Sequence, residues 1–277
     1  MALRRSLYEG YKSAHNKLFN VKDKSDFQTT GRLTPKEFVE AGDELIQKTP
    51  VWQWVGGPDN VQVYLPKEKK CIVYRGAPCT ERAPVAQTTT PAETVDEDDF
   101  VVTEPPKAAL PTTTVEEEKV LNWDDDDSAN SDDEDVVTTA QDGFSNLRVY
   151  DVYIVYDKYY ETPRMYLVGY ACDHVTPLTT DEMKQDVYCT NYGKTVTIDP
   201  HPVLSIPCIS IHPCRHAETM CSLMHRMQQN YESEKGEEAK KEPFTFPAHL
   251  ALLLFLKFIS TVLPTIQYDI SSGFDLI

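Results

Sequence analysis

The chain has 277 residues, and 40% apolar side chains with 15 Tyr and 10 Phe are enough for one sizeable core or two small ones. Its net charge of −17 is concentrated in one segment, because residues 93–135 hold 17 acidic side chains against Lys107 and Lys119 and leave the rest of the chain at −2. That sign warns against nucleic acid, which is not expected as a partner, although the acidity belongs to one segment and says little about the folded part. A membrane span is not expected either, because the most apolar run, Leu250 to Ile259, is broken by Lys257 and falls short of the roughly 18–20 residues needed.

Residues 1–20 read as an amphipathic helix. Leu3, Leu7, Tyr11, Ala14 and Leu18 recur every three or four positions and form one apolar stripe. Arg4, Arg5, Lys12 and Lys17 lie off that stripe and, against Glu9, give the segment a charge of +3. A cationic stripe of this kind suits an anionic lipid surface; packing on the chain's own domain is the alternative. No continuous apolar h-region marks a secretory signal, so an intracellular chain is expected. Thr34-Pro35-Lys36-Glu37 predicts a helix start: Thr34 caps, Pro35 fits the first turn and Glu37 completes a capping box. Phe38, Val39, Leu45 and Ile46 supply its buried face. Val61–Leu65 and Cys71–Tyr74 are read as strands joined by a Pro-Lys-Glu-Lys turn.

From 84 to 147 the chain is rich in Thr, Pro, Asp and Glu and lacks apolar periodicity, which predicts a disordered acidic insertion inside the domain begun by 21–83. Residues 148–277 continue that domain. Leu147–Tyr156, Met165–Tyr170 and Thr195–Ile198 are strand-like, and a loop with Pro200, Pro202 and Pro207 follows. After His212-Pro213-Cys214 a helix presents Ala217, Met220, Cys221, Met224 and Met227 on one face. A polar insert is expected over Gln228–Pro243, and Ala248–Leu263 is apolar enough to be a central helix. Strands first and helices later indicate an α+β domain with an antiparallel sheet.

The seven cysteines, Cys71, Cys79, Cys172, Cys189, Cys208, Cys214 and Cys221, form no C-x-x-C pair. Free thiols in a reducing compartment fit better than a disulfide framework. Cys214 stands at a predicted helix start beside Arg215 and His216, where the helix terminus and positive charge favour a thiolate. A small buried thiol is the plain alternative. His212, Cys214, His216, Cys221 and His225 cluster in sequence, but Pro213 and the spacings do not suit zinc. A cysteine-protease arrangement would need His174 or His201, and neither stands in a suggestive context.

Thr34-Pro35-Lys36-Glu37-Phe38, Ala41-Gly42-Asp43, Trp52-Gln53-Trp54, Tyr64-Leu65-Pro66 and Tyr156-Asp157-Lys158-Tyr159-Tyr160 resemble blocks of the autophagy-related protein three family. So do Lys194-Thr195-Val196-Thr197-Ile198, His212-Pro213-Cys214-Arg215-His216-Ala217-Glu218, Phe255-Leu256-Lys257-Phe258 and Pro264-Thr265-Ile266-Gln267-Tyr268-Asp269. Only the acidic insertion is unmatched. The resemblance implies a ubiquitin-conjugating-like α+β fold and an enzyme that needs no cofactor. Cys214 would carry the autophagy-related protein eight modifier as a thioester and pass it to phosphatidylethanolamine. Thr195 or Thr197 would take the place of the usual His-Pro-Asn element. His212 would shape the loop, Arg215 would add positive charge, and His216 would cap the helix, face solvent or assist proton transfer. Leu3, Leu7, Tyr11 and Leu18 would touch the membrane. The implied partners are the activating enzyme, autophagy-related protein seven, docking on the insertion with Glu116–Trp123 as the candidate segment, and the twelve–five conjugate. Phe144-Ser145-Asn146-Leu147 fits a modifier-interacting pattern. The implied location is the cytoplasm, with transient residence at autophagic membranes. The alternatives are the conjugating enzyme that joins proteins twelve and five, which shares His-Pro-Cys, and an inactive modifier-binding adaptor.

Overall fold

A computed structural model describes residues 10–12, 14–16, 21–83, 147–187, 195–235 and 244–268. Residues 84–146 of the acidic insertion, Leu3, Leu7, Leu18 and Cys189 lie outside these residues, and so do all but the last residue of the Phe144–Leu147 motif.

Residues 10–12 and 14–16 are helical. A short helix α1 (Phe27–Thr30) ends on Gly31, and α2 spans Pro35–Lys48. Its start is the expected one. Thr34 Oγ1 accepts from the Glu37 amide at 3.2 Å, and Glu37 Oε2 accepts from the Thr34 amide at 2.8 Å, so two otherwise orphaned donors are satisfied together. Phe38 and Leu45 are fully buried, and Val39 and Ile46 pack partly against the core.

The sheet has six strands in the order β1-β2-β3-β4-β6-β5, all neighbours antiparallel. These are β1 (Trp52–Val55), β2 (Cys71–Cys79), β3 (Arg148–Asp157), β4 (Thr162–Tyr170), β5 (Val196–Pro200) and β6 (Pro207–Ile211). The α+β expectation therefore holds. Val61–Leu65, however, is not a strand. Gln62 adopts a left-handed φ of 44°, and the buried Lys70 ammonium donates to the carbonyls of Gln62 at 3.0 Å and Leu65 at 2.8 Å. That bonding draws the segment into turns, and Trp52–Val55 pairs with Cys71–Tyr74 instead. Strand β6 was also not expected. Pro207 opens it, a position that a strand tolerates because the missing amide is at its end.

Helix α3 (Thr180–Lys184) has its own capping box on Thr179. A 3-10 turn, Pro213–Arg215, leads into α4 (His216–Lys235). Helix α4 runs through the start of the segment expected to be a polar insert, because 228–235 holds the good helix formers Gln228, Gln229, Glu232, Glu234 and Lys235 and contains neither Gly nor Pro. The last helix, α5 (Ala251–Val262), follows a 3-10 turn at Ala248–Leu250 and is buried on nearly every side. It packs against α2 and α4, and with them covers the sheet face made by Trp52, Ile72, Val152, Ile154, Met165, Leu167, Val196, Ile209 and Ile211. Among the described residues no helix is long and apolar enough to cross a membrane.

Candidate active site

Strand β6 ends at Ile211, and the chain turns at once through His212 and Pro213 into the 3-10 turn and α4. Two bonds hold this corner. The His212 amide donates to the Thr195 carbonyl at 2.7 Å, which continues the β5–β6 ladder by one residue. His212 Nδ1 then accepts from the Cys214 amide at 3.3 Å and so caps the 3-10 turn with an imidazole. Burial, with help from Arg164 and Lys12, holds the His212 imidazole below its ordinary range, so its ring stays a neutral acceptor at physiological pH. The Tyr160 ring stands edge-on to it at 5.7 Å.

The Cys214 side chain is exposed, whereas Cys71, Cys79 and Cys208 are buried. Burial pushes the Cys71 thiol up to about 12 and those of Cys79 and Cys208 to about 11. Among the described cysteines none is in a disulfide. The Cys214 thiol is also raised, against the expectation of activation. Desolvation by its surroundings is the largest cause, Glu218 adds to it, and the pull of Arg215 and of the amides of Cys214 and Arg215 does not overcome them.

His216 is neither solvated nor a cap. It is 1% exposed, with its ring 5.4 Å from both Phe255 and Phe258. Its Nδ1–H donates to the Pro163 carbonyl at 2.9 Å, and Nε2 is buried without a partner. Burial drives its pKa down to about 4. The residue is thus an anchor that ties the first turn of α4 to the β3–β4 hairpin. His201 is equally remote from chemistry: its Nδ1 accepts from the amides of Val203 and Leu204, and it lies against Tyr153 and Tyr166.

Thr197 points to the sheet face opposite the helices, since Val196 before it in β5 enters the core, and Thr195 stands just before the strand. Thr197 Oγ1 donates to Asp199 Oδ2 at 2.6 Å. Asp199 in turn takes the Arg164 guanidinium at 2.5 Å, and Arg164 Nε donates to Ser210 Oγ at 2.8 Å. Arg164 also faces Asp157, which Lys12 pairs at 2.5 Å. The sequence reading missed this buried chain of charges. Its signal was available: Asp157, Arg164 and Asp199 are charged residues within or beside strands otherwise dense in Val, Ile and Tyr.

Tyr11, the one described large side chain of the expected apolar stripe, is 62% exposed, and Ala14 is exposed as well. Lys12, placed off the stripe by the spacing, faces the domain instead. Cys221 donates to the Thr29 carbonyl at 3.4 Å. Among the described residues no group of three or more His, Cys, Asp or Glu is placed to hold a metal.

Residues 37–270 match the family model described as the autophagocytosis associated protein, active-site domain. The chain is 41% identical to autophagy-related protein 3 of Candida glabrata, over 90% of this chain and 93% of that protein. It is 36% identical to autophagy-related protein 3 of Dictyostelium discoideum, over 99% of each. With the protein of the same name from Arabidopsis thaliana it shares 31% identity, over 100% of this chain and 98% of that one. A match this long, carried on a sheet with a His-Pro-Cys corner at the end of β6, leaves one conclusion: the chain belongs to the autophagy-related protein 3 family and is a conjugating enzyme of autophagy with a ubiquitin-conjugating-like fold.

Proposed function

We propose that Cys214 accepts the autophagy-related protein eight modifier as a thioester and passes it to the amine of phosphatidylethanolamine. The observation that carries this reading is the exposed thiol at the entry of α4, on a turn capped by His212, in a chain whose strand thiols are buried. The Cys214 thiolate attacks the activated C-terminal glycine of the modifier, delivered by the activating enzyme autophagy-related protein seven, and that enzyme's thiolate leaves. The lipid amine then attacks the new thioester carbonyl. An amide forms, the Cys214 thiolate leaves, and the amine's proton passes to solvent. Arg215 favours the leaving thiolate, and His212 keeps the turn rigid. Of the two threonines, Thr195 stands opposite His212, while the Thr197 hydroxyl is engaged by Asp199. The N-terminal helix, through Leu3, Leu7, Tyr11 and Leu18, holds the chain at the lipid surface.

The test is Cys214→Ser in a mixture of activating enzyme, ATP and modifier. The unsubstituted chain should give an adduct cleaved by reducing agent. The serine variant should give an adduct that resists it, and no lipid conjugate. A labile adduct persisting in Cys214→Ala would sink the assignment.

A further inference from the structure

One hairpin touches the reactive corner on both sides of Cys214. Asp157 at the end of β3 pairs with Thr162 at the start of β4, so residues 158–161 form the connecting loop. On the side before Cys214, the Tyr160 ring stands 5.7 Å from the His212 ring at 75°. On the side after it, the Pro163 carbonyl accepts from His216 Nδ1 at 2.9 Å. The second contact fixes the start of α4. The first bears on the thiol's own turn, because His212 Nδ1 is the acceptor for the Cys214 amide. An imidazole turned over in its plane would present a carbon there and leave that amide without its cap.

The loop is built so that Tyr160 is aimed. Asp157 Oδ1 accepts from the amides of Tyr159 at 3.0 Å and Tyr160 at 3.3 Å. The Tyr159 ring stands 4.9 Å from that of Tyr160, and the Lys12 ammonium lies 5.5 Å over it. The next residue, Glu161, has φ +57°, a left-handed backbone that a non-glycine side chain adopts only at a cost. Contacts on both its backbone and its side chain keep it there. Its carbonyl accepts from the Leu33 amide at 2.8 Å, and its carboxylate pairs with Lys22 at 2.8 Å and Arg32 at 3.4 Å. The loop's shape thus comes from Asp157, Glu161 and the strand ladder, and the Tyr160 ring is left to act on what it faces. We propose that Tyr160 is a positioning residue for Cys214: its ring fixes the His212 imidazole with Nδ1 towards the Cys214 amide, so that the capped turn presents the thiol in one orientation. The proposal rests on the reading of Cys214 above and adds to it the residue that orients its turn. An aromatic pair of this geometry favours one arrangement over its alternatives by about threefold to tenfold. Because the contact is between rings, Phe should serve in place of Tyr, and Leu should not.

The test compares Tyr160→Leu and Tyr160→Phe in the full chain by two measurements. The first is hydrogen exchange of the Cys214 amide, followed by NMR without modifier, activating enzyme or lipid. Tyr160→Leu should speed that exchange about threefold to tenfold, while the amides of β3, β4 and β6 keep their protection. The second is the initial rate of modifier transfer to Cys214 at varied concentrations of the loaded activating enzyme. Tyr160→Leu should lower kcat by about threefold to tenfold with KM unchanged, and Tyr160→Phe should restore both measurements to near the parent values. Exchange is read on the free thiol, so its failure is separate from a failure of the Cys214 assignment, which Cys214→Ser reports. Four results overturn the proposal. They are Cys214 amide exchange unchanged in Tyr160→Leu, loss of protection throughout β3 and β4 in that variant, a change in KM in place of kcat, or Tyr160→Phe falling as far as Tyr160→Leu.

Discussion

Lowering the pH from 7.5 to 4.5 should weaken the fold through His216, and the size of the effect can be worked from its surroundings. The imidazole is neutral in the folded chain. Its Nδ1–H is spent on the Pro163 carbonyl, and its other nitrogen faces a wall containing Phe255 and Phe258. Burial is the main reason its pKa falls from 6.5 to about 4, Arg164 and His212 push the same way, and Pro163 and Asp157 push back. In the unfolded chain the ring protonates near 6.5. The stabilisation is therefore fully present above pH 6.5 and is lost as pH falls towards 4. At about 1.4 kcal/mol per pH unit it corresponds to about 3 kcal/mol at most. His201, lowered to about 4 by burial, acts with the same sign. The comparison that isolates His216 is His216→Phe, which cannot titrate. At pH 7.5 the variant should be less stable by about 1–3 kcal/mol, because the Pro163 carbonyl loses its donor. Between pH 6.5 and 4.5 its stability should fall less steeply than that of the parent chain. Urea unfolding followed through tryptophan fluorescence, to which the fully buried Trp52 contributes, gives both profiles. Parallel profiles would refute the argument.

Raising the pH should speed modifier transfer to Cys214, because its thiol sits above the ordinary range; Arg215→Ala should shift the rate profile to higher pH and slow charging at pH 7 by about fivefold or less, read from the initial rate of adduct formation. Arg164→Met should cost about 3–5 kcal/mol of unfolding free energy, since it removes the cation that pairs Asp199 in a buried site and leaves Asp157 to Lys12 alone. Adding Asp199→Asn should restore part of that loss, and simple additivity of the two variants would show that the pair is not coupled. Gly31→Ala should lower the unfolding midpoint, because Gly31 has φ +68° and its new Cβ would lie 2.0 Å from the Ala217 carbonyl oxygen; overpacking of this kind costs about 1–3 kcal/mol, and left-handed backbone about 1–2 more.

The elements that sequence reading placed well are those whose cause is local. The capping box at Thr34 and Glu37 is written in four consecutive residues, and the apolar identity of α5 is written in twelve. Strand β3 follows from a run dense in Val, Ile and Tyr, and β4 from the apolar stretch that starts at Met165; both suit a sheet buried on both faces. Val61–Leu65 misled because its Val-Gln-Val-Tyr-Leu composition is strand-like, while the force that bends it comes from Lys70, whose ammonium reaches back to two carbonyls. The Cys214 corner was legible as chemistry but not as energetics. A helix start and two cationic neighbours promise a low pKa, yet the desolvation that wins is supplied by the folded surroundings of the turn. The same holds for His216, whose carbonyl partner lies 53 residues upstream and whose ring neighbours lie about 40 residues downstream.

The N-terminal segment shows how far amphipathic spacing can carry an argument and where it stops. The spacing identifies a stripe but does not say which body the stripe meets. Had the stripe belonged to the chain's own core, Tyr11 would be buried and Lys12 would reach solvent. At Tyr11 and Lys12 the arrangement is the reverse. The Lys12 ammonium lies against Asp157 at 2.5 Å with its side chain 13% exposed, and the Lys158 ammonium reaches the Asn16 carbonyl. The polar flank is therefore what docks, while Tyr11 and Ala14 face outward. An exposed tyrosine on a segment held down by one ion pair and one hydrogen bond is an apolar surface left for another partner. Because polar docking of this sort is sensitive to charge, Asp157→Asn should loosen the segment, exposing the 10–16 amides to faster hydrogen exchange while the amides of β3 and β4 keep their protection. If exchange at 10–16 is unchanged in that variant, the ion pair does not hold the segment and the outward face of Tyr11 has another cause.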